Sequence, residues 1–251
     1  MVKKKTIEIQ KAYQQQGGKL RKYQELILGR RSLWGLFRYE FITGLCGWMP
    51  GALGLVLRMK LYPKLLGAVG RNVTFGRDVV LRHPHKIRIG NDVVIDDHVV
   101  LDAKGEDNAG IEIGDGVFIG RNTILNCKNG DIILEDRVNM GFNCHIFSAS
   151  RVHVGRDNLI AAYCYLVGGT HLSDDPDIPI LDQGRESRGV RVGPGGWLGA
   201  HVTVYDGVEI GRHCIVAAGA VVNKPIPDYT IAGGVPAKVI RSRKSQDKGS
   251  A

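Results

Sequence analysis

The sequence predicts a mainly β protein: a parallel β-helix wound from six-residue repeats, with a helical segment ahead of it. Three observations carry this reading. Apolar residues recur every six positions from Val69 onward, small residues stand four positions after most of them, and glycine is plentiful at 34 of 251 residues against 7% aromatics. An α-helix repeats at about 3.6 residues and a half-buried strand at about 2, so neither produces a six. A coil of three short strands joined by tight turns does, because each strand then sends one aliphatic side chain inward.

Residues 1–31 are polar and basic with little periodicity, and part of this stretch is expected to be helical or disordered. Residues 32–68 are apolar. Within them Phe41 to Leu57 carries no charge, with Arg38 and Glu40 before it and Arg58 and Lys60 after it. Pro50-Gly51 breaks a helix in its middle, so two short helices are expected, each too short to span a bilayer. Trp34, Tyr39, Trp48 and Tyr62 stand at the margins. Two roles stay open for 32–66: an element lying at the cytoplasmic membrane surface, or a cap over the open end of the β-helix or on a neighbouring subunit.

The net charge of +9 is unevenly spread. Residues 1–70 hold 13 Lys/Arg and 3 Asp/Glu, whereas residues 71–251 hold 21 and 22. A neutral body argues against a nucleic-acid-binding domain, and the basic excess belongs to the N-terminal quarter alone. No apolar core follows Met1-Val2-Lys3-Lys4-Lys5, so no secretory signal is expected. Five cysteines without a Cys-x-x-Cys pair point to reduced thiols and a cytoplasmic setting.

The β-helix is expected over residues 69–230. Its series are Val69, Phe75, Leu81; Ile89, Ile95, Leu101; Ile113, Ile119, Leu125; Leu134, Met140, Ile146; Val154, Ile160, Leu166; and Val192, Leu198, Val204, Ile210, Val216, Val222. Glycine often follows directly, as at Gly70, Gly90, Gly120 and Gly199. Val73, Val99, Thr123, Cys144, Cys164, Cys214 and Ala220 are among the small residues four positions on. About seven coils result. Short breaks between series are expected to be bulges at corners. The longest break holds a polar loop at about 170–189, beginning Gly168-Gly169-Thr170-His171-Leu172-Ser173-Asp174-Asp175-Pro176. Such a loop in a strict solenoid is expected to carry function. Imidazole has a pKa suited to taking a proton from a hydroxyl at neutral pH, which singles out His171.

Three further segments stand out: Gly196-Trp197-Leu198-Gly199-Ala200, Ala218-Gly219-Ala220-Val221-Val222-Asn223-Lys224, and Ile231-Ala232-Gly233-Gly234-Val235-Pro236-Ala237-Lys238-Val239-Ile240-Arg241. With the repeats and the His-x-x-x-Asp-Pro loop, they make residues 69–241 resemble the left-handed hexapeptide-repeat acyltransferases. Within these the chain looks most like the maltose and galactoside O-acetyltransferases and those of exopolysaccharide and lipopolysaccharide biosynthesis. The resemblance implies a left-handed β-helix, a homotrimer with sites between neighbouring prisms, acetyl-CoA as cosubstrate and a sugar or lipid-linked sugar as acceptor. It implies that His171 is the catalytic base, and that Asp174 and Asp175 orient it or bind acceptor hydroxyls, the alternative being a turn before Pro176. Trp197 would be part of the wall at the thiol end, and Gly199, Ala200 and Ala218 would lie along pantetheine. Asn223 and Lys224 would lie near the adenosine phosphates, and Lys238 and Arg241 near the 3′-phosphate. Residues 231–251 thus hold the coenzyme signature and a tail.

The chain also departs from the galactoside pattern. Gly141 stands where an acceptor-binding asparagine is expected, flanked by Asn139 and Asn143, of which Asn143 is the candidate for acceptor contact. Ser148-Ala149-Ser150 replaces an aspartate. Asn223 replaces the usual threonine and Pro225 the usual acidic residue. The eight histidines show no spacing of a zinc site, so no metal is expected. N-acetylation of an amino-sugar nucleotide and a non-catalytic β-helical scaffold remain the rival functions.

Overall fold

A computed structural model describes residues 18–244. Each six-residue repeat supplies one strand of two to four residues, and the chain turns a corner after it. Three parallel sheets result. The first face stacks seven strands, from Ala68–Val69 to Glu209–Ile210. The second stacks nine, from Thr74–Phe75 through Thr230–Gly233 to Lys238–Ser242, the last one antiparallel. The third stacks seven, from Val80–Arg82 to Val221–Val222.

The six-residue series become columns. On the second face Phe75, Ile95, Ile119, Met140, Ile160, Leu198 and Val216 pair in register from coil to coil. Leu81, Leu101, Leu125, Ile146, Leu166, Val204 and Val222 do the same on the third. Both columns are buried. Burying one such side chain fully contributes roughly 1.5–3 kcal/mol, so the columns are the main source of cohesion.

The corners explain the other two signals. Three positions after an inward aliphatic the backbone turns left-handed, at Asn72, Asp92, Asn122, Asn143 and Asp157 among others. The next residue points inward at the corner and must be small. Val93, Val99, Thr123, Cys144, Cys164 and Cys214 fill these places and are buried. Asn158, in the same column, is buried too. Its side chain donates to Gly155 O and Gly193 O and accepts from Gly196 N–H. The glycine after an aliphatic is set by the neighbouring coil: a Cβ on Gly120 would lie 2.7 Å from Gly141 C and 2.8 Å from Phe142 N.

All extra residues between series enter at one corner, where the third face passes to the first. They are Arg82–Arg88, the stretch 102–112, Cys127–Leu134, Phe147–Val154 and the long loop before Val190. The other two corners keep their repeat length throughout. Because the extra residues loop out at the edge, the columns stay in register across each break.

Helices α1 (Lys19–Ile27), α2 (Leu33–Cys46) and α3 (Gly51–Leu61) close the first coil. Ser32 caps α2 by accepting from Gly35 N–H, and Pro50-Gly51 separates α2 from α3. The buried Arg58 binds three carbonyl oxygens, of Phe75, Cys46 and Met49. Tyr39 Oη donates to Leu81 O, and Tyr62 packs edge-on against Phe75 at 5.4 Å. The inner side of the helical segment is therefore a cap. Its outer side is exposed and apolar. Residues 1–17, and Gly249-Ser250-Ala251 with the rest of 245–251, lie outside the described residues.

His83 ties α1 to the first coil. Its Nε2–H donates to Glu25 O at 2.9 Å, while Nδ1 is buried without a partner. Burial lowers its pKa from 6.5 to about 4, with Lys104, Lys86 and Arg82 adding to the effect. A depressed folded-state pKa means that the unfolded chain binds the extra proton first. This stability is fully present above pH 6.5 and is lost as pH falls toward about 4. Amide hydrogen exchange in α1 is expected to accelerate over that window, and less so in His83→Gln. Gly120→Ala is expected to destabilise the chain by about 1–3 kcal/mol in denaturant melts, because neighbouring backbone cannot yield locally.

Candidate active site

The longest insertion leaves the third face at Gly168 and returns to the first face at Val190. It runs out and back as a short antiparallel pair, with Thr170 opposite Glu186 and His171 opposite Arg185. Its root is pinned to the prism. Ser187 Oγ bonds Ser150 Oγ and Gly168 O, both at 2.9 Å, and the Asp206 carboxylate accepts from the N–H groups of Arg188 and Gly189. Gly189 is required there, since a Cβ would lie 2.2 Å from Arg151 O. The tip is folded around Gln183, which follows Ile180 in the single turn α4 (Ile180–Gln183). Its amide donates to Asp175 O and Ile178 O and accepts from Asp175 N–H. A polar loop thus keeps a defined shape through one buried glutamine, which the sequence reading did not single out.

His171 projects from this pair over a cleft on the third face. Outward side chains of that sheet, Phe147, Tyr165 and Val167, make the floor, and Arg185 and Lys128 flank the imidazole. Partial desolvation in the cleft, then the positive charges of Arg185 and Lys128, hold His171 below its ordinary 6.5. The shift favours the neutral ring, the form that can accept a proton. Arg185 Nε is buried without a partner. His145 stacks on Tyr165 at 4.9 Å, with Nε2 buried and unpartnered and its pKa lowered by burial. Nothing in the sequence marked His145, because outward positions of a repeat follow no periodic rule, or Arg185, because the inserted loop has no repeat at all.

Asp174 and Asp175 are exposed on the loop, and the Asp175 carboxylate accepts from Asp177 N–H at 3.0 Å, a turn interaction. Asn143 is a left-handed corner residue between the second and third faces, with φ 54°. It does not line the His171 cleft.

The coenzyme candidates gather elsewhere. Trp197 is exposed on the second face, paired in register with Leu159 and Ile215. Gly199 is buried, and a Cβ there would lie 2.6 Å from Ala218 N. Ala200 and Ala218 border the next corner, joined by the Gly219 N–H bond to Ala200 O. Lys238 and Arg241 lie exposed on the last strand of the second face, whereas Asn223 and Lys224 follow the last strand of the third. Among the described residues, Lys224, Lys238 and Arg241 form no ion pair. By contrast Arg188, Arg191 and Arg212 each face a carboxylate. Unpaired cations beside an apolar strip fit a ligand with an anionic end and a long neutral arm. None of these residues lines the His171 cleft, although Asn223 and Lys224 leave the third face at the same corner as the His171 loop. Among the described residues no three His, Cys, Asp or Glu side chains converge as a metal site.

Residues 189–224 match the bacterial transferase hexapeptide family of six repeats. The chain's own six-residue repeats extend beyond that match, from Val69 to Val222. The chain is 37% identical over 171 residues to a probable acetyltransferase of Mycobacterium tuberculosis, covering 68% of this chain and 56% of that one. It is 36% identical to a putative lipopolysaccharide biosynthesis O-acetyl transferase of Escherichia coli, over 47% of this chain and 64% of that one. To the galactoside O-acetyltransferase of Escherichia coli it is 31% identical, over 54% and 58%. The chain thus spans between half and two thirds of the length of these relatives. Among solved structures, a mutant of AntD, an N-acyltransferase from Bacillus cereus in complex with dTDP and coenzyme A, superposes with a TM-score of 0.52 at 24% identity. It covers 72% of this chain and 87% of that one, a likeness of fold.

The environment of His171 makes a direct prediction. In an NMR titration its midpoint is expected below 6.5, and Arg185→Gln is expected to raise it by removing a neighbouring positive charge.

Proposed function

We propose that this chain is an acetyl-CoA-dependent O-acetyltransferase acting on a sugar hydroxyl, with His171 as general base. The observation that carries the proposal is the pinned loop holding an imidazole of lowered pKa over a cleft floored by Phe147 and Tyr165. Aromatic floors suit the apolar faces of sugar rings. The relatives named as O-acetyltransferases support the same reaction class.

In this reading His171 takes the proton of the acceptor hydroxyl, and its oxygen attacks the thioester carbonyl. Backbone N–H near Ala200 faces the developing oxyanion. The tetrahedral intermediate collapses with cleavage of the carbon–sulfur bond, and the imidazolium returns its proton to the departing thiolate. Coenzyme A, when bound, supplies the activated acetyl group. Trp197, Gly199, Ala200 and Ala218 would border its pantetheine arm, and Lys224, Lys238 and Arg241, with Asn223, would meet its phosphates. Asp174, Asp175 and Asn143 are kept as acceptor contacts.

His171 and the Asn223-Lys224 pair leave the third face at its corner with the first, whereas Trp197, Gly199, Ala200, Ala218, Lys238 and Arg241 lie on the second face or at its corner with the third. The site is therefore read as shared between copies in a homotrimer, where one prism's loop meets the next prism's coenzyme strip. The acceptor is proposed to be a bacterial surface-glycan precursor, lipid-linked at the inner face of the cytoplasmic membrane.

Calorimetry is expected to show one acetyl-CoA site per chain in a trimer. No binding by the folded trimer would sink the donor assignment. His171→Ala is expected to lower turnover by roughly 10²–10⁴ with the melting temperature unchanged, since the side chain is exposed. An ester product, cleaved by hydroxylamine, is expected, and an amide product would select N-acetylation instead.

A further inference from the structure

α2 is apolar on both sides. One side, with Tyr39, Ile42 and Cys46, is buried on the first coil. The other carries Trp34, Phe37, Phe41 and Leu45 at helical spacing, with Trp34 71% and Phe41 57% exposed. Their rings form a stack, Trp34 to Phe37 at 5.7 Å and Phe37 to Phe41 at 6.0 Å. The surface continues past the Pro50-Gly51 break through Trp48 and Leu53, 61% and 66% exposed. A contiguous aromatic surface of this kind marks a docking face, because isolated soluble proteins rarely leave one uncovered. The buried residues beneath it already complete the cap, so the outer stripe adds nothing to closing the solenoid.

Charge selects the occupant. Residues 1–70 carry 13 Lys/Arg against 3 Asp/Glu, and the rest of the chain is almost neutral. Arg30, Arg38, Lys60 and Lys64 belong to the same helical segment and are exposed. Pairing the stripe with a second copy would bring two strongly basic segments together. An anionic surface with an apolar interior satisfies both features. No helix among the described residues is long and apolar enough to cross a membrane, so the helices would lie along such a surface.

We propose that the outer face of α2 and α3 docks on the surface of an anionic phospholipid bilayer, with the stacked aromatics in the interface and the flanking cations at the headgroups. This deepens the function proposed above and rests on it for the acceptor that docking brings near the cleft. Docking itself does not require acyl transfer.

The test is flotation of the full chain with phosphatidylglycerol–phosphatidylcholine vesicles and with pure phosphatidylcholine vesicles. Binding is expected to the anionic vesicles alone, with a blue-shifted tryptophan emission and weakening at high salt. The exposed-face variant Trp34→Ser/Phe37→Ser/Phe41→Ser is expected to keep its melting temperature and lose about tenfold or more in binding. Unchanged binding by that variant would overturn the proposal. So would a failure of the wild type to bind, with concentration-dependent self-association that the same variant abolishes. His171→Ala is expected to bind vesicles like the wild type, so a failure of the catalytic reading would leave this result standing.

Discussion

In-register stacking of one aliphatic residue per face is the constraint on which the whole molecule depends. Each inward side chain lies on its counterpart in the coil above and below, while backbone hydrogen bonds join the same coils at the surface. A solenoid has no tertiary core separate from this stack, so each coil is only as stable as its contact with its neighbours. The spacing of coils then dictates the rest. Where the backbone of one coil passes close to the next, only glycine fits, as at Gly120 and Gly199. Where the chain turns, a left-handed residue is followed by a small buried one, as at Asn143 and Cys144.

The same stacking lets bulges loop out at one edge of the prism, the corner between the third and first faces, without disturbing the columns. The longest becomes the loop of His171. Gln183, Ser187 and Asp206 hold that loop by hydrogen bonds, which gives it a defined position without a hydrophobic core of its own. The third face supplies an aromatic floor because its outward positions are free of the packing rule. The His171 loop leaves the third face at its corner with the first, whereas Lys238 and Arg241 lie on the second face of the same prism.

The open end of the stack is the remaining problem for a solenoid, since the first coil has no neighbour. Three helices solve it, with Arg58 satisfying three carbonyl oxygens and Tyr62 covering Phe75. Their apolar outer side exceeds what closure needs. The side that closes the solenoid and the exposed apolar side are therefore two sides of one element.

The period of six was enough to read the fold class, the columns, the corners and the long loop, because each coil repeats the same local geometry and each position in it faces one environment. The loop histidine was legible because a polar interruption stands out against strict periodicity. The tertiary structure decided what has no period. It placed every bulge on one edge, brought Lys128 and Arg185 beside His171, stacked His145 on Tyr165, and separated Asn143 from that cleft. It also resolved the apolar N-terminal run, where sequence left cap and surface element as alternatives, into a buried inner side and an exposed outer one. Outward residues and helix faces meet partners distant in the chain, and only the stacking of coils brings those partners together.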